Sequence, residues 1–215
     1  MAHVLVFGVT GYAGRHITAE LLSRGHHVTG IARDVSSVDD RVTARAGSIF
    51  DADLVRDAAR GVDEIVVALP ARALEEDGPR LIDALPTLVA TATAEKARLS
   101  FVGGAGSLDV SEGGPRLFDT PDFPADYRTE ATEHGAILDA LRETDDDLDW
   151  FYVSPAASFG AWNPGERTGE FRIGGDVLLT DANGDSSISG ADYAIAYVDE
   201  IENPRHRRAR FSVAY

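Results

Sequence analysis

Three glycines in the spacing Gly8-x-x-Gly11-x-x-Gly14 follow the apolar run of residues 4–7, and Ile17, Leu21 and Leu22 follow them at helical spacing. Residues without side chains between a buried strand and a helix let a ligand approach the main chain. The first N–H groups of the helix carry the positive end of its dipole. The chemistry on offer is electrostatic: main-chain donors around Gly8, Thr10, Gly11, Tyr12, Ala13 and Gly14 that suit a pyrophosphate. Each glycine then has its own task, namely a tight turn, close approach of ligand to backbone, and close packing of helix on sheet.

Other residues could complete such a site. A second strand, residues 28–31, ends at Ala32-Arg33-Asp34. A carboxylate at that tip would take the ribose hydroxyls of an adenosine, whereas an arginine would pair with a 2′-phosphate. Arg33 comes first, which favours NADP(H) over NAD(H). After a third strand, residues 42–46, Gly47-Ser48-Ile49 fill the turn where an adenine ring would lie. A fourth, residues 64–68, leads into Leu69-Pro70-Ala71-Arg72, from which Arg72 can reach phosphates. The fifth, residues 99–102, runs into Gly103-Gly104-Ala105-Gly106-Ser107, and the sixth, residues 150–153, delivers Ser154-Pro155-Ala156-Ala157. Phe159 and Trp162 would suit stacking on a small planar substrate.

These residues need one scaffold. Strands alternating with helices at this spacing imply an α/β, Rossmann-like, doubly wound parallel sheet with helices on both faces and right-handed crossovers. All of these loops then open at the carboxyl edge, where such sheets bind ligands. The chain, residues 1–215, reads as one domain, with 154–190 as a small C-terminal region of substrate-side loops. A helix is expected to start near Asp51, with Asp51 or Asp53 as its cap. Another covers 79–96, which Pro86 should kink or break. A long irregular segment, 108–126, precedes a helix at 127–143. Asn163-Pro164-Gly165 reads as a turn, residues 177–180 as a strand, 189–202 as a helix and 210–215 as a closing strand. The run Asp181–Asp185 has partial calcium-loop spacing, but its glycine stands at the fourth position rather than the sixth, and a hairpin turn accounts for it. Asp145, Asp146, Asp147 and Asp149 read as a solvated turn, so no metal site is assigned.

The 215 residues carry a formal charge of −16, with 44% hydrophobic residues and no cysteine. A field of that sign repels nucleic acid and anionic lipid heads. The longest apolar runs are strand-sized, so no membrane span is expected. With the first core strand beginning by His3 or Val4 and no disulfide possible, a cytoplasmic address is expected. Lys96 is the only lysine; that bias fits a high-salt cytoplasm or a GC-rich genome equally. Composition leaves monomer and dimer both open.

The opening Gly8-Val9-Thr10-Gly11-Tyr12-Ala13-Gly14 resembles that of the atypical short-chain dehydrogenase/reductase proteins, with their NmrA-like and flavin/biliverdin-reductase-like members. Residues 101–108 (Phe-Val-Gly-Gly-Ala-Gly-Ser-Leu), Asp119-Thr120-Pro121-Asp122-Phe123-Pro124, Asp149-Trp150, Ser154-Pro155-Ala156-Ala157, Gly165-Glu166-Arg167-Thr168-Gly169 and Glu202-Asn203-Pro204-Arg205-His206 are similar to a bacterial NADH:flavin-reductase-like group. The resemblance implies cofactor binding through Thr10, Gly11, Tyr12, Arg33, Leu69, Arg72, Gly103, Gly104 and Pro155. It also marks departures. Carbonyl-reducing members use a Tyr-x-x-x-Lys pair, in which the lysine lowers the pKa of the tyrosine that protonates the alkoxide. Here Tyr127 has Ala131 in the lysine's place, so Tyr127 and Ser107 are left as the candidate proton donors and no catalytic residue is assigned. The serine and histidine of the biliverdin reductases correspond to Ala105 and Ala156.

Three functions compete. An NAD(P)H-dependent oxidoreductase could pass hydride to a free flavin, bound as substrate rather than as resident cofactor; flavin spreads the resulting charge itself, so positioning would carry the catalysis. A non-catalytic NmrA-like redox sensor would bind the dinucleotide and report to a partner. A sugar-nucleotide epimerase or dehydratase needs the missing pair and a larger C-terminal lobe, and ranks last.

Overall fold

The unbroken apolar runs become the interior of the sheet. β1 (His3–Phe7), β4 (Glu64–Val67), β5 (Arg98–Val102) and β6 (Trp150–Ser154) are buried almost throughout, as strands covered on both faces must be. β2 (His27–Ala32) and β3 (Thr43–Ala46) extend the sheet on one side, β8 (Ala209–Ala214) and β7 (Arg172–Gly174) on the other. In this computed structural model, which describes residues 1–73, 75 and 77–215, the order is β3-β2-β1-β4-β5-β6-β8-β7. Every pairing is parallel except β7 with β8.

Alternation along the strands sorts the side chains into two cores. Leu5, Phe7, Trp150 and Tyr152 point to one face, which is covered by α2 (Ala52–Ala58), α3 (Leu81–Glu95) and α4 (Ala125–Arg142). Val4, Val6, Phe151 and Val153 point to the other, beneath α1 (Tyr12–Ser23) and α5 (Gly190–Glu202). The result is the single Rossmann-like domain expected, with helices on both faces.

Four local expectations are corrected. Residues 177–180 are not a strand: Val177 makes only an isolated bridge to Asp109, and the edge strand lies earlier, at β7. The turn placed at Asn163-Pro164-Gly165 falls earlier, where Asn163 N–H donates to Gly160 C=O across Ala161 and Trp162. Helix α3 runs unbroken through Pro86. Pro86 is exposed, and its ring faces away from the core side chains Leu81, Leu85 and Leu88, so water can take up the carbonyl that loses its donor. At the Asp181–Asp185 run the Asp181 carboxylate accepts the N–H groups of Asn183 and Asp185. This is a self-capped turn rather than the hairpin turn expected, because no strand flanks it on either side. No helix among the described residues is long and apolar enough to cross a membrane.

Candidate functional site

At Gly8 and Gly14 the glycine loop leaves no space for a side chain. Gly8 has φ +84°, and a Cβ there would collide with the Ala68 carbonyl oxygen. One on Gly14 would collide with the Gly8 carbonyl. The loop is therefore pressed against β4 on one side and α1 on the other. Gly11 is the N-cap of α1 and offers no capping side chain, and the first turn carries no acidic residue. By contrast, Asp51 caps α2 and Ser189 caps α5. The first helical bond of α1 is Arg15 N–H to Gly11 C=O at 2.9 Å. The N–H groups of Tyr12, Ala13 and Gly14 precede it and are not used by the helix.

A cleft of about 480 Å³ opens at this point on the carboxyl edge. Gly8, Thr10 and Gly11 form its floor; Arg33, Ser48 and Ile49 line one end, and Leu69, Pro70 and Arg72 one side. Nine of the residues singled out in the sequence are thus brought together. Arg33 is exposed, and among the described residues no carboxylate pairs with it. Asp34 is turned to its own backbone, where it accepts Ser36 N–H at 2.9 Å. That bond holds the exposed Asp34 carboxyl below the usual carboxylate range. Arg72 is also exposed, with Nε 3.5 Å from Glu130.

The remaining candidates stand elsewhere. Tyr12 turns away from the cleft: its hydroxyl accepts Gly190 N–H at 3.1 Å, and its ring meets Phe159 edge-on at 5.3 Å. It lines a second depression of about 520 Å³ on the far side of α1, with Arg15, His16 and Thr18. Ala13 packs into the core and Gly14 is buried. Gly103, Gly104, Ser154 and Pro155 lie at the tips of β5 and β6, on the same edge but outside the cleft lining. Gly104 N–H donates to the Tyr152 hydroxyl at 3.3 Å, and that hydroxyl donates to His134 C=O at 3.1 Å. Burial pushes the Tyr152 hydroxyl well up, so it stays a neutral phenol. Ser154 Oγ is buried without a partner among the described residues.

Neither candidate proton donor joins the cleft. Ser107 is buried and its hydroxyl accepts from Arg210 at 2.9 Å. Tyr127 stands in the first turn of α4, 59% exposed. Of the stacking candidates, Phe159 packs on Tyr193 at 4.6 Å as well as on Tyr12, so its ring is engaged by the core. Trp162 is 66% exposed.

Sequence reasoning missed Phe50, which lines the cleft and is 42% exposed. An aromatic residue directly after Ser48-Ile49 and before a helix cap was the available signal. It also missed Glu130, for which no spacing rule gives a cue.

Glycine-lined floor, uncapped helix and parallel sheet define a dinucleotide-binding α/β protein. The family model of NAD(P)H-binding proteins matches residues 8–204, and the chain belongs to that family. It is similar to YwnB of Bacillus subtilis, at 40% identity over 97% of this chain and 96% of that one. Among solved structures it is similar to SP1627 of Streptococcus pneumoniae, "a putative NADH-flavin reductase", at 33% identity and a TM-score of 0.82, covering 100% of this chain and 99% of that one. It is also similar to a "putative epimerase" of Bacteroides thetaiotaomicron, at 29% identity and a TM-score of 0.87, covering 100% and 97%.

Proposed function

We propose that the protein is an NAD(P)H-dependent reductase that passes hydride to a free flavin or a similar planar acceptor, with NADP(H) preferred over NAD(H). The observation that carries the first half is the cleft at the glycine loop, where Gly8 lies too close to the Ala68 carbonyl for any side chain and the first N–H groups of α1 are uncommitted. A diphosphate fits that donor set. Preference for NADP(H) is supported by Arg33 at the rim and by the engagement of Asp34 with Ser36, which leaves a cation rather than a carboxylate to meet the ribose. Phe50 and Ile49 offer the apolar walls for adenine.

The nicotinamide ring, when bound, supplies the hydride. What the chain supplies is position: the glycine loop and α1 hold the diphosphate and so fix the ring from which the hydride leaves. With Ala131 where a lysine would stand and Tyr127 in solvent, the Tyr-x-x-x-Lys pair that protonates an alkoxide is missing, which fits an acceptor that stabilises its own charge. Likeness to the Streptococcus pneumoniae protein supports the same reading. The same absence favours the second reading, a dinucleotide-binding sensor without turnover.

Steady-state oxidation of NADPH and NADH with FMN, FAD or riboflavin separates the two. Turnover above the uncatalysed rate is expected; tight dinucleotide binding without it means the sensor. Arg33→Ala is expected to weaken NADPH binding about tenfold or more, one charge-assisted pair to phosphate, with NADH little changed. Equal loss of both would show that the 2′-phosphate lies elsewhere.

A further inference from the structure

Among the described residues, one wall of the cleft lies outside the strands and helices. Arg72, Glu75, Gly78 and Pro79 line the cleft, and Leu81 N–H closes the base of this loop on Ala71 C=O at 2.9 Å. Its anchor is α4. The two oxygens of Glu130 accept the N–H groups of Ala71 at 2.8 Å and Arg72 at 3.2 Å. Arg72 Nε stands 3.5 Å from the same carboxylate, and His134, one turn further along α4, reaches it through Nε2 at 3.1 Å. At the other end of the loop, Arg80 pairs with Glu133 at 3.0 Å.

The two anchors differ in kind. Arg80 is half exposed, and a pair between a solvated arginine and a glutamate holds little. Glu130 grips main-chain donors, which fixes the direction of the backbone itself, and an ionised acceptor makes those bonds strong. Burial alone would raise the Glu130 carboxyl; the bonds from His134, Ala71 and Arg72 outweigh it and leave it below the usual carboxylate range.

We propose that Glu130 is a positioning residue for dinucleotide binding: by taking the Ala71 and Arg72 N–H groups it fixes where the chain turns away from β4, and so sets the cleft wall and the place of Arg72 at its mouth. This rests on the reading of the cleft as the dinucleotide site. Because both amides point into Glu130, the wall contributes shape and the Arg72 side chain, while the glycine loop contributes the main-chain donors.

The test is Glu130→Gln, which keeps the shape but leaves one acceptor oxygen for two N–H donors. Loss of one charge-assisted bond is expected to raise the NADPH Kd about tenfold. With FMN as acceptor, KM for NADPH should rise while kcat at saturating NADPH stays within about twofold, a split that general loosening of the fold would not give. Glu133→Gln should leave the Kd near that of the wild type. A folded Glu130→Gln protein with unchanged NADPH affinity overturns the proposal. Should that variant fail to fold, hydrogen exchange on the unaltered protein decides: the Ala71 and Arg72 amides must be protected without NADPH, and free exchange overturns the proposal equally. Gly8→Ala and Arg33→Ala keep the two readings apart. If both leave NADPH affinity intact, the dinucleotide site itself is misassigned and the proposal falls with it; if they weaken binding and Glu130→Gln does not, only the positioning role fails.

Discussion

The two edges of the sheet are finished in opposite ways. At the carboxyl edge β1, β3 and β5 run into Gly8, Gly47 and Gly103, α1 starts after Gly8 without a side-chain cap, and the surface opens into a cleft. At the amino edge β4 begins with Glu64 and β5 with Arg98. Arg98, 8% exposed, donates to Glu200 Oε1 at 2.8 Å and to the carbonyls of Glu200 and His206. Glu200 in turn accepts the N–H groups of Arg205 and His206 and the His206 ring nitrogen at 2.7 Å. The guanidinium also lies over the Phe151 ring, 4.3 Å from its centroid. One edge withholds side chains so that a ligand can supply the missing partners. The other ties Arg98, Glu200 and His206 into one network of partners.

Breaking the closed edge should cost the fold and spare the site. Arg98→Ala leaves Glu200 buried without its cation, and removing one partner of a buried pair costs about 3–5 kcal/mol. Denaturant unfolding would measure this, and NADPH affinity of the remaining folded protein should be unchanged. A loss well below about 1 kcal/mol would mean that the amino edge is solvated rather than closed. Breaking the open edge should do the reverse. Gly8→Ala places a Cβ against Ala68 at a left-handed φ, which strains the backbone by about 1–2 kcal/mol and displaces the loop. NADPH binding should fall about a hundredfold or more, the same small displacement being magnified at a site that works by orientation. Calorimetry on the folded variant checks it, and retained affinity would detach the glycine loop from binding.

The contrast also marks what the sequence makes legible. Buried strands announce themselves as apolar runs, and glycine spacing announces the turn, so the fold and nine cleft residues could be read in advance. Residues whose role depends on where a neighbour falls could not. Tyr12 belongs to the glycine motif by position, yet its ring serves α5 and Phe159 on the other face. Ser107 has the right type after the right strand, but Arg210, more than a hundred positions later, occupies its hydroxyl. Glu130 looks like any glutamate on a helix surface, because the two amides it holds lie on another segment. The edge strand was misplaced because β7 is three residues long, with Arg172 and Ile173 exposed, and gives little periodicity to read.

The smallest expected effect sharpens the comparison at one residue. Glu64 starts β4 and pairs in register with Arg98, yet it is 3% exposed and Oε1 has no partner among the described residues. Burial pushes its carboxyl up to about 8, against the Ser100 hydroxyl and the Arg98 charge, which pull it down. At neutral pH the folded protein therefore keeps Glu64 protonated while the unfolded chain, near the ordinary glutamate value, has released the proton. The sign follows: the folded state binds more protons, so stability falls as pH rises between the unfolded and folded values, by about 1.4 kcal/mol per pH unit. Below that window the contribution is fully present, and above about pH 8 the loss is complete. Glu64→Gln removes the titration. Between pH 6 and 7 the wild type should lose about 1.4 kcal/mol more than the variant does, measured by urea unfolding at both values. Equal slopes for the two proteins would mean that Glu64 is ionised in the fold, and that the amino edge pairs this charge as fully as it pairs Glu200.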